Sequence, residues 1–140
     1  MKSLTFAIVI MLVVSGCAGT ASRLAIAADA ELAQLLNNRI AGKPVQCITL
    51  RQIRSSHVIA RKAIVYEVSR RLLYVNQPRW GAEALSRDSV LLSRTSSTNL
   101  CNGEIVRLLD PGLNERGAIA LSEFIPYHSD TRLLPSRLDH

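Results

Sequence analysis

Ala63-Ile64-Val65-Tyr66-Glu67-Val68-Ser69-Arg70-Arg71-Leu72-Leu73-Tyr74-Val75-Asn76 is the stretch that decides the fold. Its first half is rich in β-branched residues. Alternation places Ile64, Tyr66 and Val68 on one face and Val65 with Glu67 on the other. Arg70-Arg71 makes a polar turn into a second extended run over residues 72–76. A further run over residues 56–60 precedes both, so the three read as a meander of two hairpins.

Working outward, short strand-like runs recur between turn signals. Residues 45–50 contain Cys47, and Pro78-Arg79-Trp80-Gly81 breaks the pattern before a helical turn at residues 82–85. Residues 89–94 read as a strand, followed by a polar loop at 95–99. Asn102-Gly103 turns into a strand over 104–110, and Asp110-Pro111-Gly112 is a second turn. Gly117 precedes a last run, residues 118–125; from Pro126 the chain is polar and without period, and a loosely ordered tail is expected.

Upstream the pattern is helical. Leu32, Leu35, Leu36 and Ile40 fall on one stripe, Asp29 and Glu31 lie early, and Arg39 and Lys43 lie late, as a helix dipole prefers. Gly42 is a stop and Pro44 forbids continuation. The stripe is read as packing on its own domain. The fold class expected is therefore mainly β with a minor α component (α+β minor). It would be a small antiparallel curled sheet or barrel-like domain preceded by one amphipathic helix.

The first residues carry an address. Lys2 is followed by an apolar run over residues 4–14 and then Val14-Ser15-Gly16-Cys17, the grammar of a secretory signal. The run is too short for the ~20 residues a membrane-spanning helix needs. Ala25-Ile26-Ala27 also fits a cleavage pattern, but lies beyond the polar Thr20, Ser22 and Arg23. Cys17 directly after Ser-Gly makes the segment resemble a bacterial lipoprotein signal. That resemblance implies cleavage before Cys17, acylation (palmitate included) of Cys17 and stable attachment, at about 0.8 kcal/mol per buried methylene. In such lipoproteins an Asp after the cysteine favours inner-membrane retention. Ala18 stands there instead, so an outer-membrane anchor facing the periplasm is expected. The organisation expected is a signal peptide over residues 1–16, a lipidated tether over 17–22, a helix over 23–43, a β-rich domain over 44–126 and the tail over 127–140.

Removing residues 1–16 from the 140 leaves about one domain's length. It also removes Lys2, so a net charge of +6 becomes +5. Arg dominates the cations. Its fork suits phosphate and carboxylate, although a genome rich in Arg codons would produce the same bias. Cys47 and Cys101 form an even pair. In an oxidising compartment they read as a disulfide; a metal pair and a catalytic thiol are the alternatives. There is no Cys-x-x-Cys spacing, and His57, His128 and His140 are scattered, which gives a metal site little support.

Cys47-Ile48, Ile53-Arg54-Ser55, Tyr74-Val75-Asn76, the run from Leu100 through Cys101-Asn102-Gly103 to Val106, and Leu121-Ser122-Glu123-Phe124 together resemble a family of short proteobacterial envelope proteins of unknown function. The resemblance covers residues 45–124 and implies a shared fold and an envelope location. Members often carry two further cysteines, near Ala82 and Ile119. Their joint absence here fits their being a separate pair. The resemblance implies no catalytic residue.

Nothing in the chain spells a reaction. Ser55-Ser56-His57 sets hydroxyls beside an imidazole, but strand neighbours point to opposite faces and no Gly-x-Ser-x-Gly elbow is present. Glu67, Glu83, Asp88, Glu104 and Asp110 stand singly, and the glycines do not make a phosphate loop. The strongest candidate is the basic set Arg51, Arg54, Arg61, Lys62, Arg70 and Arg71, opposed by Glu67 alone. It is either an anionic-partner site or a solvated face that keeps an edge strand from aggregating.

The function expected is a non-enzymatic binding or accessory module, with no cofactor and no metal. Its partners would be the membrane, through lipidated Cys17, and an envelope protein or anionic lipid. With one Trp, two Phe and three Tyr, nucleic acid is not expected. The alternatives are a small periplasm-facing hydrolase or cell-wall-modifying enzyme using His57 or a carboxylate, and a ligand-binding module, which requires an apolar cavity inside the sheet.

Overall fold

A computed structural model describes residues 18–94 and 97–129. Residues 1–16, Cys17 and residues 130–140 lie outside the described residues, so the signal, the lipidation site and most of the expected tail do too. The meander forms as read. β3 (Ser55–Ile59), β4 (Ala63–Ser69) and β5 (Leu72–Asn76) pair antiparallel, with Ser56 opposite Tyr66 and Tyr66 opposite Tyr74. It extends to five strands, in the order β1-β10-β5-β4-β3, by adding β10 (Phe124–Ser129) and β1 (Arg39–Ala41).

Two smaller antiparallel sheets complete the β structure. β2 (Cys47–Thr49) pairs with β7 (Asn99–Cys101), and β8 (Ile105–Leu109) lies between β6 (Val90–Ser93) and β9 (Glu115–Ala120). Helix α1 (Ala18–Leu35) precedes them all, and short 3-10 turns occupy Leu50–Gln52 and Ala82–Ala84. The protein is mainly β, with one helix ahead of antiparallel sheets that do not close into a barrel.

The five-stranded sheet is covered on both faces, and its alternation shows how. Ala63 and Val65 turn with Ile59, Leu73 and Val75 toward Ala28 and Leu32 of α1. Ile64 and Tyr66 turn with Val58 and Phe124 toward Ile48, Leu100, Val106, Leu108 and Ile119 of the smaller sheets. β4 is consequently buried at four successive positions. Gly81 closes the crossing between the layers: at φ 80°, a Cβ there would stand 2.2 Å from the Ala118 carbonyl oxygen.

Three expectations are corrected. The helix already covers residues 18–22, where a tether is expected, and it ends at Leu35 rather than near 43. Asn38 adopts a left-handed φ of 59°, and Arg39–Ala41 then pairs with β10, leaving Ile40 exposed on a strand. Asp29 and Glu31 therefore sit in the C-terminal half of α1, against its dipole, where Lys62 bonds the first and His57 and Arg87 bond the second.

The run over 118–125 splits between β9 and β10, which belong to different sheets. The corner is held by Asn76, fully buried: its amide donates to the Ser122 carbonyl at 2.7 Å and its oxygen accepts from the Ser122 N–H at 3.3 Å.

Residues 127–129 are strand rather than tail. Pro126 fits inside β10 because its carbonyl accepts from the Gly42 N–H, on the β1 side. In an antiparallel strand the N–H and C=O of one residue point the same way. The donor that proline lacks would therefore have faced Gly42 and not the β5 ladder.

Cys47 and Cys101 are directly opposite across β2 and β7 and are joined by a disulfide, Cα atoms 4.0 Å apart. It closes a loop of 54 residues, which the chain-entropy model values at about 4 kcal/mol. Replacing both cysteines with serine is expected to lower the unfolding free energy by about that amount, read as a lower urea midpoint. An unchanged midpoint would show that the denatured chain gains nothing from the opened loop.

Candidate functional site

Strand geometry divides the six basic residues. β3 and β4 run antiparallel, Ser55 opposite Glu67 and Ile59 opposite Ala63. Arg54, just before β3, therefore meets the β4–β5 turn that carries Arg70 and Arg71. Arg61 and Lys62 sit in the β3–β4 turn at the other end, roughly 16 Å away for a five-residue strand. Arg51 belongs with Arg54, three residues earlier on the 3-10 turn that leads into β3. The Arg54 N–H donates to the Glu67 carbonyl at 2.7 Å, which ties this segment to β4.

The pairing of β1 with β10 adds a residue the sequence did not suggest. Arg39, first in β1, donates from Nη2 to the Arg70 carbonyl at 3.0 Å. Its Nη1 is buried with no hydrogen-bond partner among the described residues. Arg51, Arg54, Arg70 and Arg71 are exposed, and none is in an ion pair with a described residue. Among the described residues the acid beside them is Glu67, which accepts from the Ser55 hydroxyl at 3.1 Å. The described residues at this end of the sheet therefore carry an excess of positive charge that can concentrate an anion.

At the opposite end Lys62, His57 and Arg87 are engaged. Lys62 pairs with Asp29. Glu31 accepts from His57 Nε2 at 2.9 Å and from Arg87 Nη2 at 2.8 Å. The hydrogen bond from His57, with Arg87 beside it, holds the Glu31 carboxyl below its ordinary value. Arg61 stands apart from these pairs. It lines two adjoining hollows, about 200 and 330 Å³, between α1 and the β3–β4 turn.

The Ser55-Ser56-His57 set does not assemble as a nucleophile and base. His57 meets a carboxylate, Glu31, contributed by the helix; Ser55 bonds Glu67; and Ser56 lies on the other face, lining a hollow between the sheets. No serine among the described residues hydrogen-bonds His57. That hollow, about 240 Å³ and walled by Leu50, Ile53, Leu91, Leu100 and Tyr66, is the apolar space a ligand-binding module would use, and burial pushes the Tyr66 phenol up.

Two acids read as single come together. Asp88 and Asp110 line one hollow with Arg116. The Asn114 backbone N–H, with Arg116 beside it, holds Asp110 low, and the Ser86 hydroxyl does the same for Asp88. Among the described residues no group of three or more His, Cys, Asp or Glu could hold a metal ion.

No family model matches the chain, and no curated protein or solved structure matches it either.

The Glu31 contact has a pH signature. Its carboxyl ionises more readily folded than unfolded, so the stability it supplies is complete above the ordinary glutamate range, about pH 4. That stability is lost as acid protonates the folded-state group. Glu31→Gln is expected to flatten that part of the stability-against-pH curve and to lower stability at neutral pH, followed by urea unfolding from pH 7 to 3. A curve of unchanged shape would mean that the contact contributes nothing to folding.

Proposed function

We propose that this chain is a membrane-anchored, non-enzymatic binding module of the cell envelope, whose charged sheet end receives an anionic envelope component. The observation that carries the reading is the division of charge. Arg39, Arg54, Arg70 and Arg71 gather at one end without ion-pair partners among the described residues, while Lys62, His57 and Arg87 are bonded to α1. Arginine at such density favours carboxylate or phosphate.

The direction of α1 supports the same reading. Its early residues, Ala21 and Leu24, border the Arg61 turn, and Leu35 and Leu36 pack with Tyr127 toward the other end. A helix of 18 residues is about 27 Å long. A chain held at Cys17 would carry its charged end at the far end of the helix from the anchor. The lipoprotein-like signal, Ala18 after the cysteine and the likeness to short envelope proteins support an outer-membrane anchor facing the periplasm. The disulfide suits an oxidising compartment.

The test is affinity capture of the full chain from gently solubilised envelopes at low and high salt. An anionic component should co-purify at low salt and be released at high salt. Replacing Arg54, Arg70 and Arg71 together by Gln should abolish capture, whereas Arg116→Gln, in β9 and paired with Asp110, should leave it unchanged. Capture that survives the triple replacement would refute the site.

A further inference from the structure

The first half of α1 is short of a surface to pack on. Every residue from 19 to 27 is exposed, and Ala28 is the first buried position. Over residues 18–28 the helix reads Ala-Gly-Thr-Ala-Ser-Arg-Leu-Ala-Ile-Ala-Ala, with Arg23 its one charge. Leu24 and Ile26 are 53 % and 66 % exposed. Two residues apart, they lie on opposite flanks of a helix, so the apolar surface runs round the helix instead of forming a stripe toward the domain. About ten helical residues of this composition are marginal in water alone.

Charge marks what lies against them. At the base of this overhang stands Arg61, exposed and with no ion-pair partner among the described residues. Its φ of 60° is a left-handed conformation that a hairpin turn ordinarily gives to Gly or Asn. Leu24 and Ala28 of the helix line the same two hollows as Arg61, which puts guanidinium and apolar surface side by side. The chain before the helix ends at Cys17, behind the apolar run of residues 4–14. Apolar side chains with flanking Arg, next to the anchor proposed at Cys17, match a bilayer interface bearing anionic headgroups. Among the described residues no helix is long and apolar enough to cross a membrane, which fits lying in that interface.

We propose that residues 18–27 of α1, together with the Arg61 turn, form a second membrane-contacting element. It lies in the interface of an anionic bilayer, with Leu24 and Ile26 in the acyl boundary and Arg23 and Arg61 at the phosphates. The inference rests on the membrane anchoring proposed above. It adds that the protein's own surface, and not the anchor alone, touches lipid, which would hold the domain at a fixed orientation.

The experiment uses the full chain, purified from membranes and reconstituted in phosphatidylglycerol–phosphatidylethanolamine vesicles. Trp80→Phe removes the sole tryptophan, and Ile26→Trp or Leu24→Trp places a reporter on either flank of the helix. Both reporters should emit at shorter wavelength in vesicles and be quenched several-fold by lipids brominated on the acyl chain. Arg61→Glu should reduce the quenching. Protein that floats with the vesicles while its reporters stay accessible to aqueous iodide overturns this inference and leaves the anchor intact. Protein that does not float overturns both. Reporters that shift without lipid quenching, in protein that cross-links as a dimer, assign the surface to a second copy and overturn the lipid assignment.

Discussion

The insertion of β10 between β1 and β5 is the constraint on which the rest of the structure depends. It carries Phe124, fully buried against Tyr66 with ring centroids 5.9 Å apart, into the core shared with the smaller sheets. On its outer side it recruits Arg39–Ala41, and with Val45 opposite Phe124 it guides the chain toward β2 and the disulfide. Asn76 makes this possible by meeting the polar backbone of the β9–β10 corner inside the protein, where an unpaired amide would cost on the order of 1–3 kcal/mol.

That topology also sorts the charges. Because β3 and β4 are antiparallel, basic residues within twenty positions of one another are sent to two ends of a sheet. Because α1 lies across one face with Asp29 and Glu31 in its second half, Lys62, His57 and Arg87 are bonded to it, while the arginines at the other end have no ion-pair partner among the described residues. The basic stretch thus gives Lys62 to a clasp, which His57 and Arg87 complete, and most of its arginines to a charged edge. The clasp joins helix, edge strand and the loop after the 3-10 turn; the edge is free to meet an anion.

Much of the strand content was legible in the sequence, and the reason is local. The meander, the turns at Asn102-Gly103 and Asp110-Pro111-Gly112 and the short helical turn near Ala82 follow from alternation and from residues that favour turns. The misread segments all depend on pairing between distant parts of the chain. Residues 39–41 have helical spacing but find a strand partner some 88 positions later, and Pro126 looks like a strand breaker until its missing donor faces Gly42. Arg39 joins the charged edge by the same pairing, and Asp88 meets Asp110 through packing that spacing could not disclose.

The sequence by itself determined that the chain would be a mainly β domain behind one helix, with Cys47 and Cys101 available to each other and a basic segment early in the sheet. Periodicity, turn chemistry and composition act over a few residues, and they suffice for that much. Only the tertiary structure decided that the sheet is buried on both faces, that its last strand lies inside it, and that Lys62 and His57 are bonded to the helix while Arg54, Arg70 and Arg71 lie at the other end of the strands. Those outcomes arise where strands far apart in sequence exchange hydrogen bonds and exclude water together, and a local pattern carries no record of its partner.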